Sequence, residues 1–244
     1  MKKLIVIATL FLTVTAFAGE RRNVPANNFA SDYQTVPVIA NSPGIGGTFQ
    51  TYVALFNPTS TAYSMEATLY GGNGFAANRV IVLAAGELKT YSNFLSEVFN
   101  YTGSGAVVFR ANPGNRFIVN TEVRTSGTRY GTTVPALEFA GSSSRSYSPG
   151  ITVDSNFRTN IGCFNQSDVA NVVTATVFDN SGKQQLGTAT LNLAANSWGQ
   201  TAITAIVSGG YVQFDPQEAA VCYAVVIDNA TNDGRFISAA EYKP

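Results

Sequence analysis

Phe49-Gln50-Thr51-Tyr52-Val53-Ala54-Leu55-Phe56-Asn57 and Phe157-Arg158-Thr159-Asn160-Ile161-Gly162-Cys163-Phe164-Asn165 are two versions of one strand. Each places an apolar or β-branched side chain at every second position, the period of a half-buried strand. They align without a gap at an offset of 108, and the match continues downstream through Ala62 with Ala170, Met65 with Val173, Ala67 with Ala175, Leu69 with Val177 and Tyr70 with Phe178. Leu83-Ala84-Ala85 then matches Leu193-Ala194-Ala195, and Gly105-x-Val107-x-Phe109 matches Gly210-x-Val212-x-Phe214. Upstream, Ser42-Pro43-Gly44-Ile45 recurs as Ser148-Pro149-Gly150-Ile151 at an offset of 106. The chain is therefore a duplication of a unit of about 100 residues, and the unit is built of strands.

Further strands read from Met65 to Tyr70, Arg79 to Leu83, Val107 to Phe109 and Phe117 to Val123, with their counterparts in the second copy. Gly, Asn and Asp clusters at residues 71–74, 112–115, 179–182 and 232–234 supply the turns between them. Some seven short strands per copy at this spacing predict an all-β fold, two tandem Ig-like antiparallel β-sandwich domains. The expected boundaries are a signal peptide over 1–18, a flexible N-terminal arm over 19–35, sandwich domains over 36–140 and 148–244, and a linker over 141–147. So short a linker predicts end-to-end neighbours. Ser92 to Phe99 reads as a short amphipathic helical turn covering the core, with Thr201 to Val207 its weaker counterpart.

Met1-Lys2-Lys3, the apolar run Leu4 to Ala16 and the small-x-small site Ala16-Phe17-Ala18 have the three-part layout of a cleaved secretory signal. The apolar run is shorter than the roughly 18 residues or more of a spanning helix, so no membrane span is expected after processing. Of the 244 residues, 15 are Lys or Arg and 15 are Asp or Glu. Cleavage takes Lys2 and Lys3 and leaves 13 against 15, a net charge of −2. Such a chain has no basic footprint for nucleic acid. It also has no His, which excludes Ser-His-Asp and Cys-His nucleophiles, His-ligated zinc and an imidazole pH switch.

Cys163 and Cys222 are the only thiols, and both lie in the second copy. The first copy has Leu55 at one position and Ile118 or Val119 at the other. An apolar pair replaced by two cysteines predicts a disulfide between the sheets, and the 59-residue spacing resembles the B-to-F bridge of immunoglobulin domains.

Nothing nominates a catalytic site. Glu66, Glu87, Glu97, Glu122 and Glu138 have no matching acids in the second copy, so no carboxylate pair of the kind glycosidases need stands out. Gly44-Ile45-Gly46-Gly47 precedes a strand rather than the helix a phosphate loop requires. Asp228, Asn232 and Asp233 lie in the one dense run of oxygen ligands and form a weak Ca²⁺ candidate, for which a plain hairpin turn is the simpler account. Trp198, the only indole, could stack on a sugar ring. Its alignment with Leu88 favours a core or interface anchor instead. Asn57 and Asn165 recur where equivalent strands end, which suits a residue that satisfies the backbone of a corner.

The stretch Phe157 to Asn165, the hairpin Val172 to Gly182 and the ending Val226 to Asp233 resemble the F-R-T-N-[IL]-G-x-x-N type of repeat in uncharacterised bacterial secreted proteins with duplicated Ig-like β-sandwich units. The first copy departs from it, with Gln50 for Arg and Tyr52 for Asn. The resemblance implies extracellular sandwich repeats and supplies no binding residues. Together these readings predict a secreted, extracellular, periplasmic or cell-surface protein that is not an enzyme and uses no cofactor. Its role would be structural or adhesive, its partner a protein or glycan at the cell surface, or a second copy of itself. The alternatives are a carbohydrate-binding module and a filament subunit whose N-terminal arm adds a strand to a neighbour's sheet.

Overall fold

The computed structural model describes residues 30–44, 47–128, 131–138 and 141–241; the expected signal segment and most of the arm lie outside these. The first half runs β1 (Tyr33–Gly44), β2 (Gly47–Phe56), β3 (Tyr63–Gly71), β4 (Ala76–Leu83), β5 (Leu88–Tyr91), α1 (Phe94–Phe99), β6 (Gly103–Ala111), β7 (Ile118–Thr125) and β8 (Gly131–Val134). The second runs β9 (Ser146–Val153), β10 (Phe157–Asn165), β11 (Asn171–Phe178), β12 (Gln185–Leu193), β13 (Ser197–Ala202), β14 (Val207–Pro216), β15 (Ala220–Asp228), β16 (Gly234–Ser238) and β17 (Ala240–Glu241). Every pairing is antiparallel.

The duplication is visible in the strand order. The second half stacks β12-β11-β14-β9-β17 on β13-β10-β15-β16, and the first half has the same orders in β4-β3-β6-β1 and β5-β2-β7-β8. In the first half the two sheets join, because β1 runs on to form a hairpin with β2. Alternation sends one side of each strand inward. Val53, Leu55, Met65, Leu69, Phe109 and Phe117 fill the first core, and Ile161, Cys163, Val173, Val177, Val212 and Phe214 the second.

Register corrects one of the sequence matches. Val36 and Ile39 face Val107 and Gly105 across a bulge, as Ser148 and Ile151 face Val212 and Gly210. Val36-Pro37-Val38-Ile39 is thus the counterpart of Ser148-Pro149-Gly150-Ile151, at an offset of 112 rather than 106. A shared hydrogen bond marks the same register: Thr51 Oγ1 donates to the Ala40 carbonyl at 3.0 Å and Thr159 Oγ1 to that of Thr152 at 2.5 Å. Ser42-Pro43-Gly44 instead lies at the far end of β1, where the chain turns toward β2. The four-residue identity reflects turn-forming composition, not equivalent positions.

The ends also differ from expectation. The first strand begins at Tyr33, within the expected arm, and Ser31 already bridges to Phe117. The expected linker is tied at both ends, with Ser142 bridged to Ala220 and Ser146 and Tyr147 paired in β9. The predicted helical turn exists as α1, where Asn93 Oδ1 accepts the Ser96 N–H and Glu97 Oε1 accepts that of Asn93. Its counterpart is not helical. Only residues 203–206 separate β13 from β14, too few for a helical turn and its return.

Asn57 and Asn165 are fully buried. The Asn57 amide donates to the carbonyls of Thr61 and Ala84 at 2.9 and 2.8 Å, and its Oδ1 accepts the Thr59 N–H. Asn165 repeats this with Val169, Ala194 and the Ser167 N–H. Each side chain therefore replaces water for three backbone groups of a corner that no ladder reaches. Asn165→Ala is expected to lower stability by about 3 kcal/mol through those unsatisfied groups, and Asn57→Ala by a similar amount. Urea denaturation of each variant measures it.

Candidate functional site

The two halves do not sit end to end. The outward face of β13-β10-β15 lies on the outward face of β3, β6 and β1, and β16 lies against β8. Phe164, 1% exposed, packs with Ala106 and Val108, rimmed by Tyr33, Tyr70 and Trp198. Its ring centroid is 5.0 Å from that of Tyr70. Gln166 crosses the same seam, accepting from the Tyr33 hydroxyl at 3.4 Å and donating to Thr35 Oγ1 at 3.1 Å. A tight linker fixes how far apart the halves lie, but which faces meet depends on where small and large apolar side chains sit on the outer sheets.

At the centre of this seam lies Tyr223, a residue without any motif to mark it in the sequence. Gly162 and Tyr223 are directly paired across β10 and β15, and a Cβ on Gly162 would collide with the ring carbon that bears the hydroxyl. The bare glycine lets the phenol ring lie over the strand, fully buried. Its hydroxyl accepts from Trp198 Nε1 at 3.1 Å and donates to Gln200 Oε1 at 3.0 Å. Phe236 stacks on the ring at 5.1 Å. Burial pushes the phenol pKa far above its ordinary range, with the Trp198 hydrogen bond pulling the other way. A glycine inside an otherwise apolar strand signals a close approach of this kind; what approaches it is visible only in the fold.

Trp198 thus sits at the seam, half-buried, its indole N–H engaged. It pairs with Phe164 as Leu88 pairs with Phe56, which bears out their alignment.

Cys163 and Cys222 form a disulfide. The bridge does not join the two sheets. The cysteines are directly opposite on the neighbouring strands β10 and β15, with Cα atoms 4.1 Å apart, and face the second core. The first-half counterparts are Leu55 and Val119, also directly paired. The analogy with the immunoglobulin bridge fails because that bridge connects opposite sheets; a 59-residue spacing alone does not distinguish the two arrangements.

In the loop after β15, Asp228 Oδ1 accepts the N–H groups of Ala230 and Thr231 at 2.8 and 2.9 Å, which hold its carboxyl below the usual range. Asp233 Oδ1 accepts the Gly234 N–H. The Arg158 guanidinium donates to Asn229 Oδ1 and Asn232 Oδ1, both at 2.9 Å. The expected calcium ligands are therefore organised around backbone donors and a resident cation. Burial lowers the Arg158 pKa, while Asp228 draws it back up. Among the described residues no three His, Cys, Asp or Glu side chains cluster as a metal site would require.

The acids considered for catalysis are dispersed. Glu87 accepts the Ala84 N–H, Glu97 caps α1, Glu122 pairs with Arg124, and Ser31 donates to Glu138. A cleft of about 100 Å³ remains between the halves. Val38, Ala40, Phe49, Val123, Val134, Val225 and Ile227 give it an apolar lining, and Ser42, Ser104, Thr132, Asn160, Gln200 and Asn232 a polar one. It has room for a few waters or a ligand of a few atoms. No protein-family model matches this chain, and no curated protein sequence matches it.

Two tests follow from this chemistry. Replacing both cysteines, Cys163→Leu with Cys222→Val, is expected to cost up to about 4 kcal/mol, the chain-entropy value for a loop of this size; chemical denaturation measures it, and thiol labelling of unfolded, unreduced protein is expected to find no reactive thiol. Stability is expected to be flat from about pH 5 to 9, because no imidazole titrates there. Asp228 and Asp179, whose carboxyl pKa values are held low, stabilise the fold above about pH 4, and that contribution is lost as pH falls through their folded values. Tyr223, raised by burial, stabilises it below about pH 10, and that contribution is lost as pH rises toward its folded value. Melting temperatures across the pH range check both limits.

Proposed function

We propose that this chain is a secreted, non-catalytic structural or adhesive module that acts outside the cell or on its surface. One observation carries the reading. The residues that recur or form motifs are committed to the fold: Asn57 and Asn165 to corners, Thr51 and Thr159 to the bulged strands, Arg158 to a loop, and Gly162 to the ring of Tyr223. What remains for contact with other molecules is the outer sheet faces. The disulfide fits an oxidising compartment. Among the described residues no helix is long and apolar enough to cross a membrane. The signal-like N-terminus and the resemblance to secreted duplicated sandwiches support the same placement.

Residues 33–40 belong to β1 of their own half, so strand donation to a neighbour would have to come from the chain before them. A carbohydrate-binding reading finds a better surface than Trp198 in Tyr147, Phe178 and Tyr211. These are half-buried on the outer face of β9-β14-β11, with ring centroids 5.0 Å apart for Phe178 and Tyr211 and 6.1 Å for Tyr147 and Tyr211.

Fractionation of the producing cells tests the main reading. Processed chain beginning at Gly19 is expected in the medium, the periplasm or the fraction released by surface proteolysis, and deletion of the gene is expected to weaken attachment or surface integrity. Unprocessed chain in the cytoplasm would overturn it. Glycan-array binding abolished by Tyr211→Ala would favour the carbohydrate reading.

A further inference from the structure

The contact between the halves is head-to-tail. The face of β13-β10-β15 in the second half docks on the face of β3-β6-β1 in the first, so different faces of the repeat meet. One copy of each face is therefore left over. The first half keeps an undocked copy of the docking face on β5-β2-β7, and the second keeps an undocked copy of the receiving face on β11-β14-β9.

The leftover docking face retains its apolar row. Phe164 is flanked across the sheet by Trp198 and Val221, and Phe164 and Trp198 lie in the seam. At the same register Phe56 is flanked by Leu88 and Ile118. Leu88 is 62% exposed and Ile118 43%. Solvent-facing apolar side chains aligned in a row across three strands form a patch, unlike scattered ones, and such patches mark contact surfaces.

The leftover receiving face carries a large aromatic side chain where the docked one is small. Ala106, the small residue beneath Phe164, corresponds to Tyr211; Val108 corresponds to Gln213 and Tyr70 to Phe178. Within the chain, a large Trp198 and Phe164 fit over small Ala106 and Val108. Between chains, Phe56 would meet Tyr211 in place of Ala106, and Leu88, smaller than Trp198, leaves space beside Phe56 for that ring.

We infer that a second copy of this chain docks its Leu88–Phe56–Ile118 row on the Tyr147–Phe178–Tyr211 patch of the first, reusing the Phe164 row of the contact made within one chain but not its Tyr223 centre, where Asn120 and Ala54 stand instead of Tyr223 and Gly162. The inference rests on the structural reading above and names its partner. A heterologous contact that does not close on itself propagates, so the product is a linear assembly of alternating halves.

Sedimentation velocity of the processed chain, from low to high micromolar concentration, tests this. The wild type is expected to form a concentration-dependent series of oligomers. The double variant Leu88→Glu/Ile118→Glu removes the docking row, and Tyr211→Lys blocks the receiving patch. Each is expected to associate at least tenfold more weakly, while circular dichroism and the urea midpoint stay near those of the wild type. Leu88→Ser/Ile118→Ser serves in place of the first variant if the glutamates perturb folding. Mixing the two kinds of variant restores one intact pair of faces, and is expected to yield dimers with one chain of each that grow no further. A wild type that stays monomeric, variants that assemble as the wild type does, a mixture that forms no dimer, or a monomer that binds glycans through Tyr211 would each overturn the inference. Surface attachment that persists in the double variant would leave the structural reading standing without self-assembly. A chain confined to the cytoplasm that still polymerised would do the opposite, keeping self-assembly and ending the structural reading.

Discussion

Tyr223 lies flat over Gly162, buried between the two halves, with its hydroxyl held by Trp198 and Gln200. A phenol this deep costs heavily unless its polar end is satisfied, and both partners come from β13, the strand on the far side of β10. The ring thus locks three strands of one sheet together and presents a smooth apolar face to Val38 and its neighbours in the other half. Because a Cβ at position 162 would collide with the ring, one missing side chain in β10 permits the contact that joins the two halves.

The duplication conserves a frame and varies what fills it. Both halves share the strand order, the bulge at the start, the threonine that bonds to the bulged strand and the asparagine at the corner. Their cores differ. The first holds Phe94, Phe99, Phe109 and Phe117 in a chain of ring contacts, helped by α1, which delivers two of them. The second has lost the helix and fills its centre with smaller Val, Ala and Ile side chains around the Cys163–Cys222 bridge. A core with less apolar volume contributes less burial energy, and a covalent link that restrains the unfolded chain is one compensation.

The outer faces show a parallel division. Where a face is covered, its centre is Phe164, Ala106 and Val108. Where it is open, Glu122, Arg124 and Asn120 interrupt the docking copy beside Leu88, Phe56 and Ile118, and Gln213 and Asp215 interrupt the receiving one beside its aromatic patch. The open faces thus combine apolar contact with enough polarity to remain in water, the composition of surfaces that associate reversibly rather than permanently.

Much of the fold was legible because it is local. Alternation in Phe49 to Leu55 and Phe157 to Cys163 sets strand and inward face together, since the side-chain period is two. Gly182, Gly114 and Asn232 adopt the positive φ their turns demand, and Asn93 with Glu97 announces the start of α1. Repetition then carries each reading to the other half, which is how Asn165 and Trp198 found their roles. Four matching residues at Ser42 misled, because turn chemistry recurs wherever a chain turns. Pairing between distant strands was beyond reach for a related reason: the cysteines reveal an inward direction, and nothing in their spacing distinguishes a neighbour in the same sheet from a strand in the opposite one. The seam lay further still from view. It depends on the shapes of two surfaces, each made by several strands, and a residue such as Tyr223 has no meaning for it until Gly162, Trp198 and Gln200 are brought beside it in space.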